Sequence, residues 1–103
     1  MDGDALKKDI EKCTAVGEQK FYRYLLCQAI NKLIKIRDGD YKGASPEMEF
    51  LDYAEKFLIL YRRDDKDIYL TMSRIFRKAA HKIYRMMLKQ GLTERNGKFL
   101  NLV

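Results

Sequence analysis

The stretch Asp65–Gln90 constrains the fold most, because it predicts one long amphipathic helix. At about 100° per residue, its apolar residues share one side of the helix, an arc of roughly 120°. These residues are Ile68, Met72, Ile75, Phe76, Ala79, Ile83, Met86 and Met87. A continuous stripe of this width is typical of a helix that buries one side in the core of a helical bundle.

The opposite side of this helix is basic over an arc of roughly 140°. It carries Arg74, Arg77, Lys78, His81, Lys82, Arg85 and Lys89. No acidic residue occurs between Ile68 and Thr93. When the six Lys and Arg residues of this side are set apart from the chain's 21, the basic residues that remain equal the 15 Asp and Glu in number. The formal net charge of +6 therefore belongs to one helix.

Capping signals mark both ends of this helix. Asp64, Asp65 and Asp67 supply an N-cap and acidic residues in the first turn, where the helix dipole favours negative charge. Lys89 suits the last turn, and Gly91 is suited to the position just beyond the helix.

A second helix is predicted over Glu18–Arg37. Its main apolar stripe is Tyr22, Leu25, Leu26, Ala29, Leu33 and Ile36. Cys27, Ile30 and Ile34 widen that stripe toward a second side. A helix that is apolar over more than half of its circumference usually contacts two neighbours, so we expect a central position for this one.

A third helix is predicted to start at Ser45 and Pro46, as N-cap and first helical residue. Its buried stripe is Phe50, Leu51, Ala54, Phe57, Leu58 and Tyr61. Met48 and Ile59 fall on its polar side. The short charged break over residues 62–66 favours antiparallel packing against the basic helix that follows.

These segments predict an all-α fold for one domain over residues 1–103. It is a compact bundle of three strong helices, with a weaker helix within residues 1–17 and a short apolar tail over residues 92–103. The expected core is Leu25, Leu26, Ala29, Leu33, Ile36, Leu51, Ala54, Phe57, Leu58, Ile75, Phe76, Ala79 and Ile83.

Composition narrows the class of protein. No apolar run approaches the ~20 residues of a membrane span, and no signal-peptide core follows the first residues. Cys13 and Cys27 are too far apart for a CxxC site, which favours reduced thiols over a disulfide between them. We therefore expect a soluble intracellular protein of the cytoplasm or nucleus.

The residue patterns do not favour catalysis, a metal or a cofactor. His81 is the only histidine, and its helix has no Cys or Asp at metal-ligand spacing. The segment Asp38–Glu49 has the length of a calcium loop, but Lys42 occupies a ligand position and Pro46 begins a helix inside it. Neither a Gly-rich phosphate loop nor a Ser-His-Asp order is present. The sequence thus predicts a protein that is not an enzyme.

Three interpretations of the basic side remain. It can be a solvated surface that the acidic third helix partly neutralises, or a binding surface for an acidic or amphipathic segment of a partner protein. It can also make non-specific contacts with RNA or DNA phosphates. A surface helix usually mixes Glu among its Lys for i,i+4 pairs, and this one has none, which favours a binding role.

We expect a protein partner. Within the basic helix, Ser73 and Gln90 are the only residues suited to read base edges, which disfavours sequence-specific DNA binding. Homo-oligomers through apolar residues outside the stripes are also compatible with the sequence. The predicted partner-binding set combines charged residues with two apolar anchors: Arg74, Arg77, Lys78, Lys82, Tyr84, Arg85, Leu88 and Lys89.

Overall fold

The computed structural model describes residues 3–39 and 45–90 and confirms an all-α bundle. Its four helices are α1 (Gly3–Val16), α2 (Glu18–Arg37), α3 (Pro46–Asp64) and α4 (Asp67–Lys89). None of these helices is long and apolar enough to cross a membrane. The predicted tail over residues 92–103, and Gly91 with it, lies outside the described residues.

The expected N-terminal helix forms and packs against α2. Leu6 and Cys13 are buried on one side of α1, and Ile10 contacts the core beside them. Gly17 alone separates α1 from α2 and has φ of +93°, a conformation that residues with a Cβ rarely adopt. The chain can therefore turn from one helix into the next within a single residue.

The junction between α3 and α4 differs from the prediction. α3 continues through Asp64, and Asp65 ends it in the left-handed conformation (φ 53°), with its N–H bonded to the Tyr61 carbonyl at 2.7 Å. The Asp64 carboxylate accepts two hydrogen bonds from Arg63. Asp64 and Asp65 therefore belong to the end of α3 and do not cap α4. Asp is one of the few residues other than glycine that tolerate left-handed backbone, which explains the extra turn of α3.

α3 and α4 pack antiparallel, as the short connection predicted. Three contacts between them run in opposite directions along the two helices. The Phe57 and Tyr69 rings lie 6.4 Å apart, the Ser73 hydroxyl donates to the Ala54 carbonyl at 2.8 Å, and the Phe50 and Phe76 rings lie 5.8 Å apart.

Phe76 lies at the centre of the core. Its ring contacts rings from two other helices at centroid distances of 5.2–5.9 Å. α2 contributes Phe21, and α3 contributes Phe50, Tyr53 and Phe57. The edge-to-face and offset arrangements stabilise such clusters beyond the burial of apolar area. One residue of the amphipathic stripe thus joins three helices.

Most of the predicted core is buried, but one side of α2 was predicted wrongly. Nine of the thirteen expected residues are buried, and Leu26, Ile36, Leu51 and Leu58 are half-buried. Ile30, Ile34 and Cys27 are exposed to solvent, although α2 packs against α1, α3 and α4, as expected for a central helix. Phe21, which we did not assign to the core, is fully buried on α2. The side of α2 that packs in the core is therefore rotated toward Phe21 relative to the predicted stripe.

The first turn of α3 contains a buried carboxylate. Glu47 is 1% exposed, and neither of its oxygens has a hydrogen-bond partner among residues 3–39 and 45–90. Burial raises the pKa of Glu47, and the nearby Ser45 hydroxyl and the N–H groups of Glu47 and Met48 oppose that rise. Because the folded-state pKa is the higher one, ionisation of this group favours the unfolded chain.

Glu47→Gln is expected to raise the free energy of unfolding at pH 7 by about 1 kcal/mol, because it removes a buried charge. The gain should shrink as the pH falls through the raised folded-state pKa, and it should be lost below the unfolded-state pKa of about 4.3, where both states are protonated. Urea titrations at neutral and acidic pH measure both values. A gain that is equal at the two pH values would contradict the assignment to the carboxylate.

Candidate functional site

The packing of α4 determines which of its sides faces solvent. Met72, Phe76, Ala79, Ile83 and Met87 are each no more than 1% exposed. These five residues follow helical spacing over four turns, so α4 cannot rotate without exposing them. The opposite side must therefore remain at the surface. We call that side the basic face, and it comprises Arg74, Arg77, Lys78, His81, Lys82, Arg85 and Lys89.

The basic face is exposed and lacks ion pairs within residues 3–39 and 45–90. All seven of its residues are exposed. Within the described part of the chain, none of its Lys and Arg residues forms an ion pair. Two acidic residues of α3 are paired elsewhere, since Glu49 binds Lys32 at 2.7 Å and Asp52 binds Lys56 at 2.6 Å. One interpretation of the sequence was that α3 partly neutralises the basic face. No ion pair between the described residues supports it.

Part of the basic face is concave. A shallow depression of about 380 Å³ is lined by Arg74, Arg77, Lys78, His81 and Arg85. All five side chains come from α4, and each lies at i,i+3 or i,i+4 spacing, about one turn, from another of the five. Like charges at these spacings repel, and a bound anion would relieve that repulsion.

A second concavity, the α2–α4 groove, lies beside this depression. It has a volume of about 610 Å³. α2 lines it with Glu18, Gln19, Tyr22 and Arg23, and α4 lines it with Thr71, Arg74, Ile75 and Lys78. Arg74 and Lys78 line both concavities, so the groove and the basic face form one continuous surface.

Lys78 is held at the boundary between the two concavities. Its Nζ lies 4.7 Å from the centroid of the Tyr22 ring, in cation–π geometry. At exposed sites such a contact contributes about 0.5–1 kcal/mol. This contact places the Lys78 ammonium group beside α2. The other Lys and Arg residues of the basic face have no cation–π contact among the described residues.

The remaining predicted binding residues lie outside these two concavities. Lys82 and Lys89 are exposed on the same face of α4, and Leu88 is 47% exposed. Tyr84 is half-buried and packs against the core, which limits its availability as an anchor. The structure thus brings together four of the eight predicted residues, namely Arg74, Arg77, Lys78 and Arg85.

Sequence reasoning missed the α2 side of the surface. Tyr22 was assigned to the buried stripe of α2, and Arg23 was assigned no role. Both line the α2–α4 groove because α2 packs beside the middle of α4. The periodicity of each helix cannot give that juxtaposition, but Tyr22 has a polar tip and is followed by Arg23, a pairing typical of binding surfaces.

No metal site was found in the described residues. They include no group of three His, Cys, Asp or Glu residues that could hold an ion. Glu49, the last position of the calcium-like spacing, is engaged by Lys32. Cys13 and Cys27 are both free thiols. Burial, followed by the charge of Glu18, raises the pKa of Cys13, so this thiol is kept protonated.

Comparison with known protein families, curated proteins and solved structures does not place this chain in a family. The chain matches no protein-family model, and the searches found no significantly similar curated protein or solved structure. The four-helix bundle and its charged surface are therefore the observations on which function is argued.

Proposed function

We propose that this chain is a non-enzymatic protein–protein interaction module, an adaptor that binds an acidic or amphipathic segment of a partner through the basic face. The observation that carries this proposal is the row of exposed Lys and Arg residues without an ion pair in the described residues. Such a row costs folding stability through repulsion, and an acidic partner would offset that cost.

The chemistry of the face suits carboxylates. Arg74, Arg77 and Arg85 present planar guanidinium groups, which bind carboxylates through paired hydrogen bonds. Charge complementarity of this kind also accelerates association and excludes basic partners. The concave depression gives the segment a defined path along α4.

Non-specific RNA or DNA contact is the alternative for the same surface. One of the two residues suited to reading base edges, Ser73, is 3% exposed, and its hydroxyl is bonded to the Ala54 carbonyl. Sequence-specific readout by α4 is therefore disfavoured. Phosphate contact without sequence preference needs only the positive charges, so it has to be distinguished by experiment.

The charge reversal Arg77→Glu with Lys78→Glu is expected to weaken binding of a short peptide of alternating aspartate and leucine by about 100-fold or more, because the surface loses four units of positive charge. Fluorescence anisotropy measures the affinity, and circular dichroism verifies that the domain remains folded. The matched control is Lys7→Glu with Lys8→Glu, which makes the same charge change on the exposed surface of α1.

Three results would contradict the proposal. One is unchanged affinity of the double variant on α4. Another is equal loss in the α1 control, since that would reflect net charge alone. The third is tighter binding of a single-stranded or duplex oligonucleotide than of the peptide. If that affinity also fell steeply with salt and did not depend on the base sequence, nucleic acid would be the favoured ligand.

A further inference from the structure

The α2–α4 groove contains more hydrogen-bond donors than a carboxylate side chain can use. Arg23 approaches it from α2, and Arg74 and Lys78 approach it from α4. Tyr22 and Thr71, which carry hydroxyl groups, also line it. A carboxylate has one negative charge and two oxygens, whereas a phosphate monoester carries about −1.5 to −2 charges and three acceptor oxygens.

The position of the three cations also suits a phosphate. Arg74 and Lys78 are one turn apart on α4, and the Lys78 ammonium is held over the Tyr22 ring at 4.7 Å. Arg23 follows Tyr22 directly in the chain and adds a guanidinium from the other wall. Both walls of the groove therefore carry basic residues, unlike the depression on α4, which is lined by one helix.

We propose that the α2–α4 groove is a phosphate-recognition subsite, which takes a phosphorylated side chain of the acidic partner segment. This inference rests on the proposed function, because the same segment would continue from the groove onto the basic face through Arg74 and Lys78. The volume of about 610 Å³ is within the range of side-chain and small-ligand pockets and accommodates a phosphotyrosine ring as well as its phosphate.

Among the described residues, Glu18 is the one carboxylate that lines the groove. It is the first residue of α2, at the end of that helix that follows α1. A carboxylate in the lining opposes a second anion, so it sets an upper limit on phosphate affinity. Removing this charge is therefore expected to strengthen phosphate binding, the opposite of removing Arg23.

The test compares three forms of one acidic peptide on the full chain. One form has a tyrosine at its centre, the second has phosphotyrosine there, and the third replaces that residue with glutamates of matching total charge. We expect the phosphotyrosine form to bind about tenfold more tightly than the charge-matched form, because only phosphate engages donors from both helices. Isothermal titration calorimetry measures the affinities.

Variants assign the effect to the groove. Arg23→Glu is expected to remove the advantage of the phosphorylated form, and Glu18→Gln is expected to increase it by about twofold to threefold. The matched control is Lys35→Glu, which makes the same type of charge reversal at an exposed position of α2 outside the groove and should preserve the advantage.

The outcomes separate this subsite from the proposed function. Equal affinity for the phosphorylated and charge-matched peptides would overturn the subsite, and so would an affinity advantage of the phosphorylated peptide that survives Arg23→Glu. In either case, binding of the unphosphorylated peptide still tests the basic face. Inorganic phosphate alone that binds as tightly as the phosphopeptide would also overturn it, since the occupant would be a free anion. A phosphate advantage that depends on Arg23 supports the subsite whether or not the unphosphorylated peptide binds.

Discussion

Phe76→Ala is expected to destabilise the domain by about 3–5 kcal/mol, the range for truncating a buried phenylalanine. The side chain is 1% exposed, and its ring contacts four other rings from α2 and α3. Because all three helices meet at this ring, the cavity cannot close without moving one of them. A domain of this size has a total stability of only about 5–15 kcal/mol, so the variant should be close to unfolding at body temperature.

Chemical denaturation followed by circular dichroism measures this loss. The matched control is Ile59→Ala on α3, because Ile59 is also a large apolar residue but is 54% exposed. We expect the control to change the free energy of unfolding by no more than about 0.5 kcal/mol. A loss at Phe76 no larger than the loss at Ile59 would contradict the central position of that ring.

Local signals were sufficient to locate the helices. The bounds of α2 agree with the prediction, and Ser45 and Pro46 occupy the expected positions at the start of α3. Six of the eight residues in the predicted stripe of α4 are buried, and Ile68 and Met86 are half-buried against the core. Helical periodicity and end signals act over a few residues, so they can be detected in the sequence before any tertiary contact is known.

Tertiary packing determined the features that the sequence could not specify. Phe21 and Ile30 lie on different sides of α2 and are similarly apolar, yet Phe21 is buried and Ile30 is 36% exposed. The choice between such sides depends on where neighbouring helices lie. The same reason explains the end of α3, since Asp65 could cap a following helix or end the preceding one in left-handed backbone.

The proposed binding surface also has one part that the sequence indicated and one part that depends on tertiary packing. The basic face could be predicted because all of its residues belong to one helix with a continuous apolar stripe opposite. The α2–α4 groove could not be predicted, because Tyr22 and Arg23 reach it only through the packing of α2 against α4. Tyr84, predicted as an anchor, is half-buried and packs against the core, a contact that the sequence alone does not give.

If the basic face is maintained for binding, removing its repulsive charges should stabilise the fold. A substitution at Arg85 tests this expectation. Its neighbours at i−3 and i+4 are Lys82 and Lys89, both on the basic face. Arg85→Glu would replace these repulsive contacts with attractive ones, each contributing about 0.2–0.5 kcal/mol. A glutamate four residues before a lysine is also the more favourable orientation on a helix.

Arg85→Glu is therefore expected to raise the free energy of unfolding by about 0.5–1 kcal/mol while it weakens binding of the acidic peptide by about tenfold. The two effects have opposite signs, so loss of binding cannot be attributed to unfolding. Denaturation at low and high salt supplies the first value, and the gain should fall as salt screens the new pairs. If both stability and affinity were unchanged, the basic face would be only a solvated surface, because neither repulsion nor an anionic partner would depend on its charge.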